Sequence, residues 1–339
     1  MASLSGDRKR PRPCLPLHDA VRRYDVSRLK YLVDAGSDLT VVDDYGRTPL
    51  HLALFCTVVA RPGSGTEVHE VITTLLSADE DERNEALCAR SDDGLTPIHL
   101  AAKCGSSKLM DVLLNSIDEE ILPDVLEMRS HLNGELWNGN WGKKMADGQL
   151  AELDIEHMSP LHLALERLNP NEDEDDDDDV EPLSDAARAE AVEMARLLIR
   201  RGADVNARDA NGRAPIHQAV GAGLQDVTEM LLEAGADPTL GFKAIGMANN
   251  VLHQAVLRGN ESMVRALMRA APHLDVDAEG QNGLTPLCLA ARSNKESCAR
   301  ALVQEGADPK FVSTYGKSAI DIARINKRAS ILELFGEEP

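Results

Sequence analysis

The chain of 339 residues carries a formal net charge of −21, with 43% hydrophobic and only 3% aromatic residues. This length allows two or three globular domains. No run of about 18 apolar residues occurs, so we expect no membrane-spanning segment, and the first fourteen residues lack the apolar core of a secretion signal. The acidic balance argues against nucleic-acid binding, because contacts with phosphates need a positive surface.

A short basic cluster, RKRPRP at residues 8–13, lies in a basic N-terminal tail (residues 1–13) that we expect to be disordered. It is either a nuclear import signal or a chance feature of such a tail. The six cysteines are scattered and form no Cys-x-x-Cys pair, which predicts a reduced, intracellular protein of the cytoplasm and, if the signal acts, of the nucleus. Cys288 and Cys298 are expected to be small apolar packing residues.

A six-residue phrase, Thr/Ser-Pro-Leu/Ile-His-x-Ala, recurs along the chain. The clear copies are TPLHLA at 48–53, TPIHLA at 96–101, SPLHLA at 159–164 and APIHQA at 214–219, and the weaker copies begin at residues 15, 250, 285 and 318. The fourth letter falls at His18, His51, His99, His162, His217, His253, Cys288 and Asp321, with successive gaps of 33, 48, 63, 55, 36, 35 and 33 residues. A unit of about 33 residues therefore repeats, with insertions in the three long gaps.

Each clear phrase opens a short helix that is followed by a turn and by a second, amphipathic helix. Pro at the second letter suits the first helical turn, and the preceding Thr or Ser can cap it. The second helix ends in Gly, as in RRGADVN at 200–206, which supplies a left-handed terminating residue. Units this small cannot bury a core alone, so they must stack into a solenoid.

These combined features resemble the ankyrin-repeat family, over residues 15–335 in about eight units. The resemblance implies an all-α solenoid of helix-turn-helix units with β-hairpin fingers, and a concave face lined by the first helices. We expect a repeat domain at 14–335 and a C-terminal tail at 336–339, with insertions at about 59–66, 78–90, 117–156 and 169–185. His157 stands where a turn Gly is expected, and the sixth unit lacks the turn Gly and the Pro, which predicts a weakened hydrogen-bond network and a mobile finger there.

No enzyme is expected, because no Gly-x-Ser-x-Gly elbow, P-loop, His-Glu-x-x-His or Rossmann glycine string is present. The resemblance implies that the histidine of the phrase bonds the hairpin backbone, so we interpret His51, His99, His162 and His217 as structural, and we predict no metal and no cofactor. The resemblance also makes Asn206 a candidate for asparaginyl hydroxylation, although a hydrogen bond within its own turn is the interpretation that we favour.

Two insertions invite both a functional and a purely structural interpretation. Residues 172–181, EDEDDDDDVE, contain nine acidic residues and form either an electrostatic docking segment or a tolerated solvated loop. Residues 117–156 contain the only tryptophans, Trp137 and Trp141, which are either a binding anchor or rings that seal the solenoid. A helix is expected within residues 121–131.

The function predicted from the resemblance is a non-catalytic scaffold or adaptor that binds a protein partner and is a monomer on its own. The alternative is a regulatory or targeting subunit of an enzyme complex, for example a substrate-recruiting subunit, which contacts its partner through the insertions. The arginines near the ends of the later first helices further suggest a basic groove for an acidic or mixed-charge peptide. The candidate partner-binding residues are Asp44, Tyr45, Arg47, Phe55, Asp92, Asp93, Leu95, Lys103, Trp137, Trp141, Arg167, Asn211, Arg213, Arg258, Asn282, Arg292, Tyr315 and Arg324.

Overall fold

The computed structural model describes residues 15–59, 65–130, 157–166, 185–244 and 247–338. The helices of this described part, in chain order, are α1 (Pro16–Arg22), α2 (Val26–Asp34), α3 (Pro49–Val59), α4 (Gly65–Leu75), α5 (Glu80–Cys88), α6 (Pro97–Cys104), α7 (Ser107–Asn115), α8 (Leu122–Glu127), α9 (Pro160–Glu166), α10 (Asp185–Arg200), α11 (Pro215–Gly221), α12 (Gln225–Glu233), α13 (Val251–Leu257), α14 (Glu261–Ala270), α15 (Pro286–Arg292), α16 (Glu296–Gln304), α17 (Ala319–Ile325) and α18 (Ala329–Leu334). Strands β1 (Phe242–Ala244) and β2 (Met247–Asn249) pair antiparallel.

The helices form the two layers of an all-α repeat solenoid, as the sequence predicted. The inner layer consists of the phrase helices, which pack side by side in the order α1, α3, α6, α9, α11, α13, α15 and α17. The outer layer contains the second helix of each unit, and α7, α10, α12, α14, α16 and α18 pack in that order. The core between the layers is built from small and aliphatic side chains, so the stack needs few aromatic rings.

The phrase builds the start of each inner helix. Thr96 adopts an extended conformation and accepts a hydrogen bond from the backbone N–H of His99, while Pro97 occupies the first helical position. Ser318 caps α17 in the same way through the N–H of Asp321. The inner helices are short, at seven or eight residues in most units. A residue in the left-handed conformation follows each one whose C-terminal turn is described, namely Tyr24, Gly105, Gly223, Gly259, Asn294 and Lys327.

The segments that connect one unit to the next are tight hydrogen-bonded turns, which we call fingers. In unit two, the N–H of Asp43 donates to the carbonyl of Arg47, and the N–H of Gly46 donates to the carbonyl of Asp43. The same bonds recur between Asp209 and Arg213. Regular β-pairing within the described ranges is confined to β1 and β2, in the finger that precedes unit six.

The predicted insertion at 78–90 is described throughout, and the one at 117–156 is described up to residue 130. Helix α5 lies in the 78–90 insertion, and α8 lies within the helical stretch expected at 121–131, with Val125 and Leu126 buried. The described residues on either side of the tryptophans lie close together, because the N–H of Ser130 donates to the carbonyl of Met158 (2.9 Å) and the N–H of His157 donates to the carbonyl of Ser130 (2.9 Å). The acidic run 172–181 and the basic cluster 8–13 lie outside the described residues.

His157 adopts the left-handed conformation (φ 64°) that the missing Gly would otherwise supply. Cys288 and Cys298 are free thiols buried in the core, as expected. The expected C-terminal tail is partly packed, because the N–H of Glu337 donates to the carbonyl of Leu332 and its carboxylate pairs with Arg324. In the described part of the chain, every helix is too short or too polar to cross a bilayer.

Candidate functional site

The histidines of the repeated phrase link each unit to the next one. The Nδ1 atom of His51 lies 2.7 Å from the hydroxyl of Thr48 within its own unit. Its Nε2 atom lies 2.9 Å from the carbonyl oxygen of Leu95, in the finger of the following unit. The same inter-unit contact joins His18 to Arg47, His99 to Met158, His162 to Arg213, His217 to Leu240 and His253 to Leu284, at 2.8 to 3.2 Å. We call this series the histidine ladder.

Burial fixes the charge state of the ladder. It lowers the pKa of His51, His99 and His162 to about 4, because the charged imidazolium would lose its hydration. The pKa values of His18, His217 and His253 are lowered for the same reason. The ladder histidines are therefore neutral at pH 7 and hold fingers in place, as their structural interpretation predicted.

The expectation of a weakened network in the sixth unit was wrong for one contact, because His253 keeps its inter-unit contact with Leu284. Asn250 replaces the capping Thr, and its side-chain oxygen accepts bonds from the N–H groups of Leu252 and His253 and lies 2.7 Å from His253 Nδ1. The amide oxygen replaces the hydroxyl as acceptor of the capping N–H bonds, although it has no proton to donate to Nδ1. The contact of His253 Nε2 with the carbonyl oxygen of Leu284 (3.0 Å) is kept. Residues 245–246 of the finger lie outside the described part.

In the last two units, Cys288 and Asp321 stand in place of the histidine, and their hydrogen bonds are weaker or go to other partners. The Sγ atom of Cys288 lies 3.9 Å from the carbonyl oxygen of Lys317, a long contact in place of the imidazole bond. The carboxylate of Asp321 instead accepts from the N–H and the hydroxyl of Ser318, within its own unit. The ladder therefore weakens toward the C-terminal end of the stack.

The predicted tip residues divide into exposed and anchored groups. Asp44, Asp92 and Asn282 are exposed, and the side chains of Tyr45 and Tyr315 are 64% and 45% exposed. The remaining predicted finger and inner-helix positions Arg47, Phe55, Asp93, Lys103, Asn211 and Arg213 are half-buried.

Leu95 requires a correction, because its side chain is 6% exposed and belongs to the core. The fingers point this position inward when it holds an aliphatic residue, and Leu284 is buried in the same way. Trp137, Trp141 and Arg167 lie outside the described residues.

The two predicted tip arginines hold their own fingers. Arg47 donates to Asp43 Oδ2 from Nε (3.1 Å) and Nη2 (2.8 Å), and Arg213 Nε donates to Asp209 Oδ2 (3.0 Å). The guanidinium of Arg47 also lies 4.5 Å from the centroid of Tyr45 and 5.1 Å from that of Phe55. These contacts fix the aromatic surface of the finger in unit two.

The arginines predicted for the helix side of the groove are exposed. Arg258, Arg292 and Arg324 stand at or next to the C-terminal ends of α13, α15 and α17. Arg324 is paired with the carboxylate of Glu337, an acidic group of the same chain.

Asn206 differs from its expected role within its own turn. Its side-chain Nδ2 donates to the carbonyl of Gly235 (3.0 Å), and its Oδ1 accepts from the N–H of Asp237 (2.8 Å). Both partners belong to the next unit, so the amide bridges two units.

Sequence reasoning missed the apolar residues at the base of two fingers. Val42 is 49% exposed and Val312 is 62% exposed, and each precedes an exposed tyrosine by three residues. A signal was present in the sequence, because VVDDYGR at 41–47 and FVSTYGK at 311–317 share the pattern apolar-Val-x-x-Tyr-Gly-cation. The intervening fingers at 89–95, 207–213 and 278–284 have charged residues in place of that valine.

Three comparisons place this architecture among known proteins. The chain is 26% identical over 155 residues to the ankyrin repeat protein FPV219 of fowlpox virus (strain NVSL), a match that covers 45% of this chain and 34% of that protein. It is 34% identical over 123 residues to neurogenic locus notch homolog protein 1 of Mus musculus, covering 36% of this chain and 5% of that protein. The match thus spans about a third of the length of the fowlpox virus protein and about a twentieth of the length of the Mus musculus protein.

The crystal structure of the ankyrin repeat domain of Bcl-3, described as a unique member of the IkappaB protein family, aligns with 96% of this chain and 100% of its own, at 20% identity and a TM-score of 0.45. The profile of the family described as ankyrin repeats (3 copies) matches residues 17–125, 161–241 and 249–338, which is well over half of the sequence. The chain therefore belongs to the ankyrin-repeat family.

Proposed function

We propose that this chain is a non-catalytic scaffold or adaptor that binds a protein partner through its fingertips and the exposed ends of its inner helices. Ankyrin repeats are in general protein–protein interaction modules. The observation that carries the proposal is the separation between the buried histidine ladder, which holds the fingers, and the exposed side chains that those fingers present. The imidazoles are occupied and neutral, so they support the stack and not chemistry.

Two fingers offer the strongest anchors. Tyr45 and Tyr315 are exposed rings, each with a cation near its face: the guanidinium of Arg47 at 4.5 Å and the Nζ atom of Lys317 at 5.6 Å. Aromatic residues are enriched among the side chains that dominate interface energies. Because the rings are preorganised by neighbouring cations, a partner would lose little side-chain entropy on binding them.

The helix side of the proposed surface favours a partner with acidic groups. Arg258 and Arg292 are exposed at the ends of neighbouring inner helices. An acidic or mixed-charge peptide would complement this part of the groove, and Glu337 offsets the charge of Arg324 at its end.

The alternative, a regulatory or targeting subunit that contacts an enzyme through the insertions, has its own support. Both tryptophans fall between Ser130 and His157, the residues whose hydrogen bond closes the insertion. Because the two ends already meet, the insertion could be shortened without separating α8 from α9.

The two functions are distinguished by proximity labelling in the native cell with four versions of the chain. These are the wild type, Tyr45→Ser with Tyr315→Ser, the matched control Tyr31→Ser, and a deletion of residues 132–148. Tyr31 is 73% exposed but lies on the outer helix α2, away from the fingers.

The scaffold proposal predicts that the double finger variant loses its labelled partners while the Tyr31 variant keeps them. The alternative predicts that the deletion loses them. If the finger variant keeps every partner of the wild type, binding through the fingertips is refuted. A hydrolase screen that gives activity above background, absent from a heat-unfolded sample, would refute the non-catalytic function.

A further inference from the structure

Two glutamines interrupt a row of aliphatic side chains in the inner layer. The fifth letter of the repeated phrase is Gln218 in α11 and Gln254 in α13. In five other units this letter is an aliphatic residue, at Leu52, Leu100, Leu163, Leu289 and Ile322. Because α11 and α13 pack against each other, the two glutamines occupy the same register on neighbouring inner helices.

Both glutamines are buried without a full set of hydrogen bonds. Gln218 is 4% exposed and Gln254 is 7% exposed. The Oε1 atom of each is buried and has no hydrogen-bond partner among the described residues. A buried acceptor without a partner destabilises the folded state, and leucine at the same letter avoids that cost. Two such acceptors in neighbouring units are therefore typical of a functional site and not of a packed core.

This register lies just below the surface of the inner layer. At the same letter in unit one, the side chain of Asp19 is 43% exposed. Residues three positions apart share one face of a helix, so Gln218 lies beside Gly221, which has no side chain to cover it. Gln254 likewise lies beside Leu257, which is 44% exposed. The two amides are thus within reach of a ligand on the inner face, next to an exposed apolar side chain.

The chemistry of a carboxamide narrows the choice of ligand. Its oxygen accepts, its nitrogen donates, and neither is charged. A phosphate or a carboxylate offers acceptors alone and would leave both Oε1 atoms unpaired. A peptide group offers an N–H and a C=O together, so it matches a carboxamide through two bonds, as the edge of an adenine does. A helical segment already uses its N–H groups internally, so the matching peptide is extended.

We propose that Gln218 and Gln254 form an amide clamp that binds the main chain of an extended segment of a partner protein. Each carboxamide accepts from a peptide N–H and donates to a peptide C=O. The terminal torsion of glutamine is broad and roughly two-fold, so rotation about χ3 turns the Oε1 atom toward the ligand. A nucleic acid is disfavoured, because its phosphates would meet the net charge of −21. This inference rests on the proposed binding function and specifies which part of the partner the inner helices of units five and six bind.

The test is a nuclear magnetic resonance titration of the whole chain labelled with 15N. It follows the side-chain amides of the glutamines and the backbone amide of Leu257. The probe is a capped, uncharged heptapeptide of alternating serine and alanine, and its control is the same peptide with every backbone N–H replaced by N-methyl. The clamp variant combines Gln218→Leu with Gln254→Leu, and the control variant Gln304→Leu replaces an exposed glutamine of the outer helix α16.

We expect the side-chain resonances of Gln218 and Gln254 to shift and to reach saturation at millimolar peptide. The N-methylated peptide and the clamp variant should each reduce the affinity about tenfold, while Gln304→Leu leaves it unchanged. The clamp variant should also unfold at a higher urea concentration than the wild type, which shows that its loss of binding is not a loss of fold. The double finger variant should bind the probe normally, so this proposal and the fingertip proposal can fail separately.

Four results would overturn the amide clamp. These are no saturable shift in the wild type, equal affinity for the N-methylated peptide, unchanged binding by the clamp variant, or an equal loss in Gln304→Leu. A clamp variant that is no more stable than the wild type would also overturn it, because the two Oε1 atoms would then already be bonded in the free protein, for example by a buried water.

Discussion

Replacing Asp277 by asparagine is expected to stabilise the last units of the stack, because the repeat already contains asparagine at the matching position. Asn206 bonds the residues that lie 29 and 31 positions after it, Gly235 and Asp237. Asp277 stands in the same turn, and its Oδ2 atom accepts from the N–H of Asp308, again 31 positions later (3.3 Å). A carboxylate cannot donate to the carbonyl 29 positions on, and its Oδ1 atom is buried without a hydrogen-bond partner.

The expected increase in the free energy of unfolding follows from the hydrogen bond that Asp277 cannot donate. A net hydrogen bond contributes about 1 kcal/mol, and a fully buried acceptor left unpaired costs about 1–3 kcal/mol. Asp277 is only half-buried, so solvent screens part of this cost, and we expect Asp277→Asn to raise the free energy of unfolding by about 1 kcal/mol at pH 7.

The gain should depend on pH in a known direction. Burial raises the pKa of Asp277, and the carboxylates of Asp275 and Asp308 raise it further, against the opposing bond from the Asp308 N–H. A raised pKa means that the folded state binds the proton more tightly than the unfolded state. The wild type therefore loses stability as the pH rises through this pKa, and the advantage of asparagine is full at neutral pH and shrinks in acid.

Urea unfolding followed by far-ultraviolet circular dichroism, together with hydrogen exchange of residues 251–338, measures the effect. Asp308→Asn is the matched control, because it removes local charge repulsion without adding a donor at residue 277. Asn206→Asp is the converse change and should cost about as much as Asp277→Asn gains. The reasoning is refuted if the control gives the same gain, or if Asn206→Asp has no cost.

Other consequences of the structure can be measured in the same unfolding assay. His99→Leu should cost about 2–3 kcal/mol, because it breaks the bonds to Thr96 and Met158 and leaves a buried carbonyl unpaired. Gln218→Leu should stabilise by about 1 kcal/mol, since the Oε1 atom is buried without a partner and other units have leucine there; an unchanged midpoint would contradict this. Gly283→Ala should cost at least about 1 kcal/mol more than Gly316→Ala, because both have positive φ but only residue 283 faces Thr314 closely. As the pH falls from 6.5 to 4, each of the three ladder histidines with a pKa of about 4 should lower the free energy of unfolding by about 3 kcal/mol, because only the unfolded state takes up their protons in that range. A free energy of unfolding that does not change over this pH range would refute their burial as neutral groups.

Most of the fold could be predicted because the same structural signals recur in several units. The phrase at 96–101 contains the cap, the first-turn proline and the linking histidine, and all three occupy those roles. The positions of the insertions are predicted from spacing alone, since extra residues between phrases have to leave the stack. The β-hairpin form of the fingers followed only from resemblance, and most described fingers are tight turns without strands.

The candidate site was harder to predict from the sequence, because the exposure of a side chain depends on which parts of it the neighbouring units cover. Leu95 occupies a tip position by sequence but turns into the core, where an apolar side chain is stabilised by burial. Arg47 was placed on the surface, yet it is drawn to Asp43, four residues before it. Asn250 could not be recognised as a cap replacement for threonine without seeing His253 beside its oxygen.

The ladder and the surface residues obey different constraints, so their contributions to stability and to the proposed binding can be separated. A ladder histidine such as His51 is buried and bonded through both ring nitrogens, so its loss is felt by its own unit and by the unit after it. Tyr45 and Tyr315 are exposed at the tips of fingers whose turns are closed by backbone bonds, so their replacement leaves those bonds intact. It follows that fingertip variants should change binding while the unfolding midpoint stays constant, and that ladder variants should change the midpoint before they change binding. A fingertip variant that unfolds the neighbouring unit would show that the proposed contact surface supports the fold, and the assignment of function to the tips would then have to be abandoned.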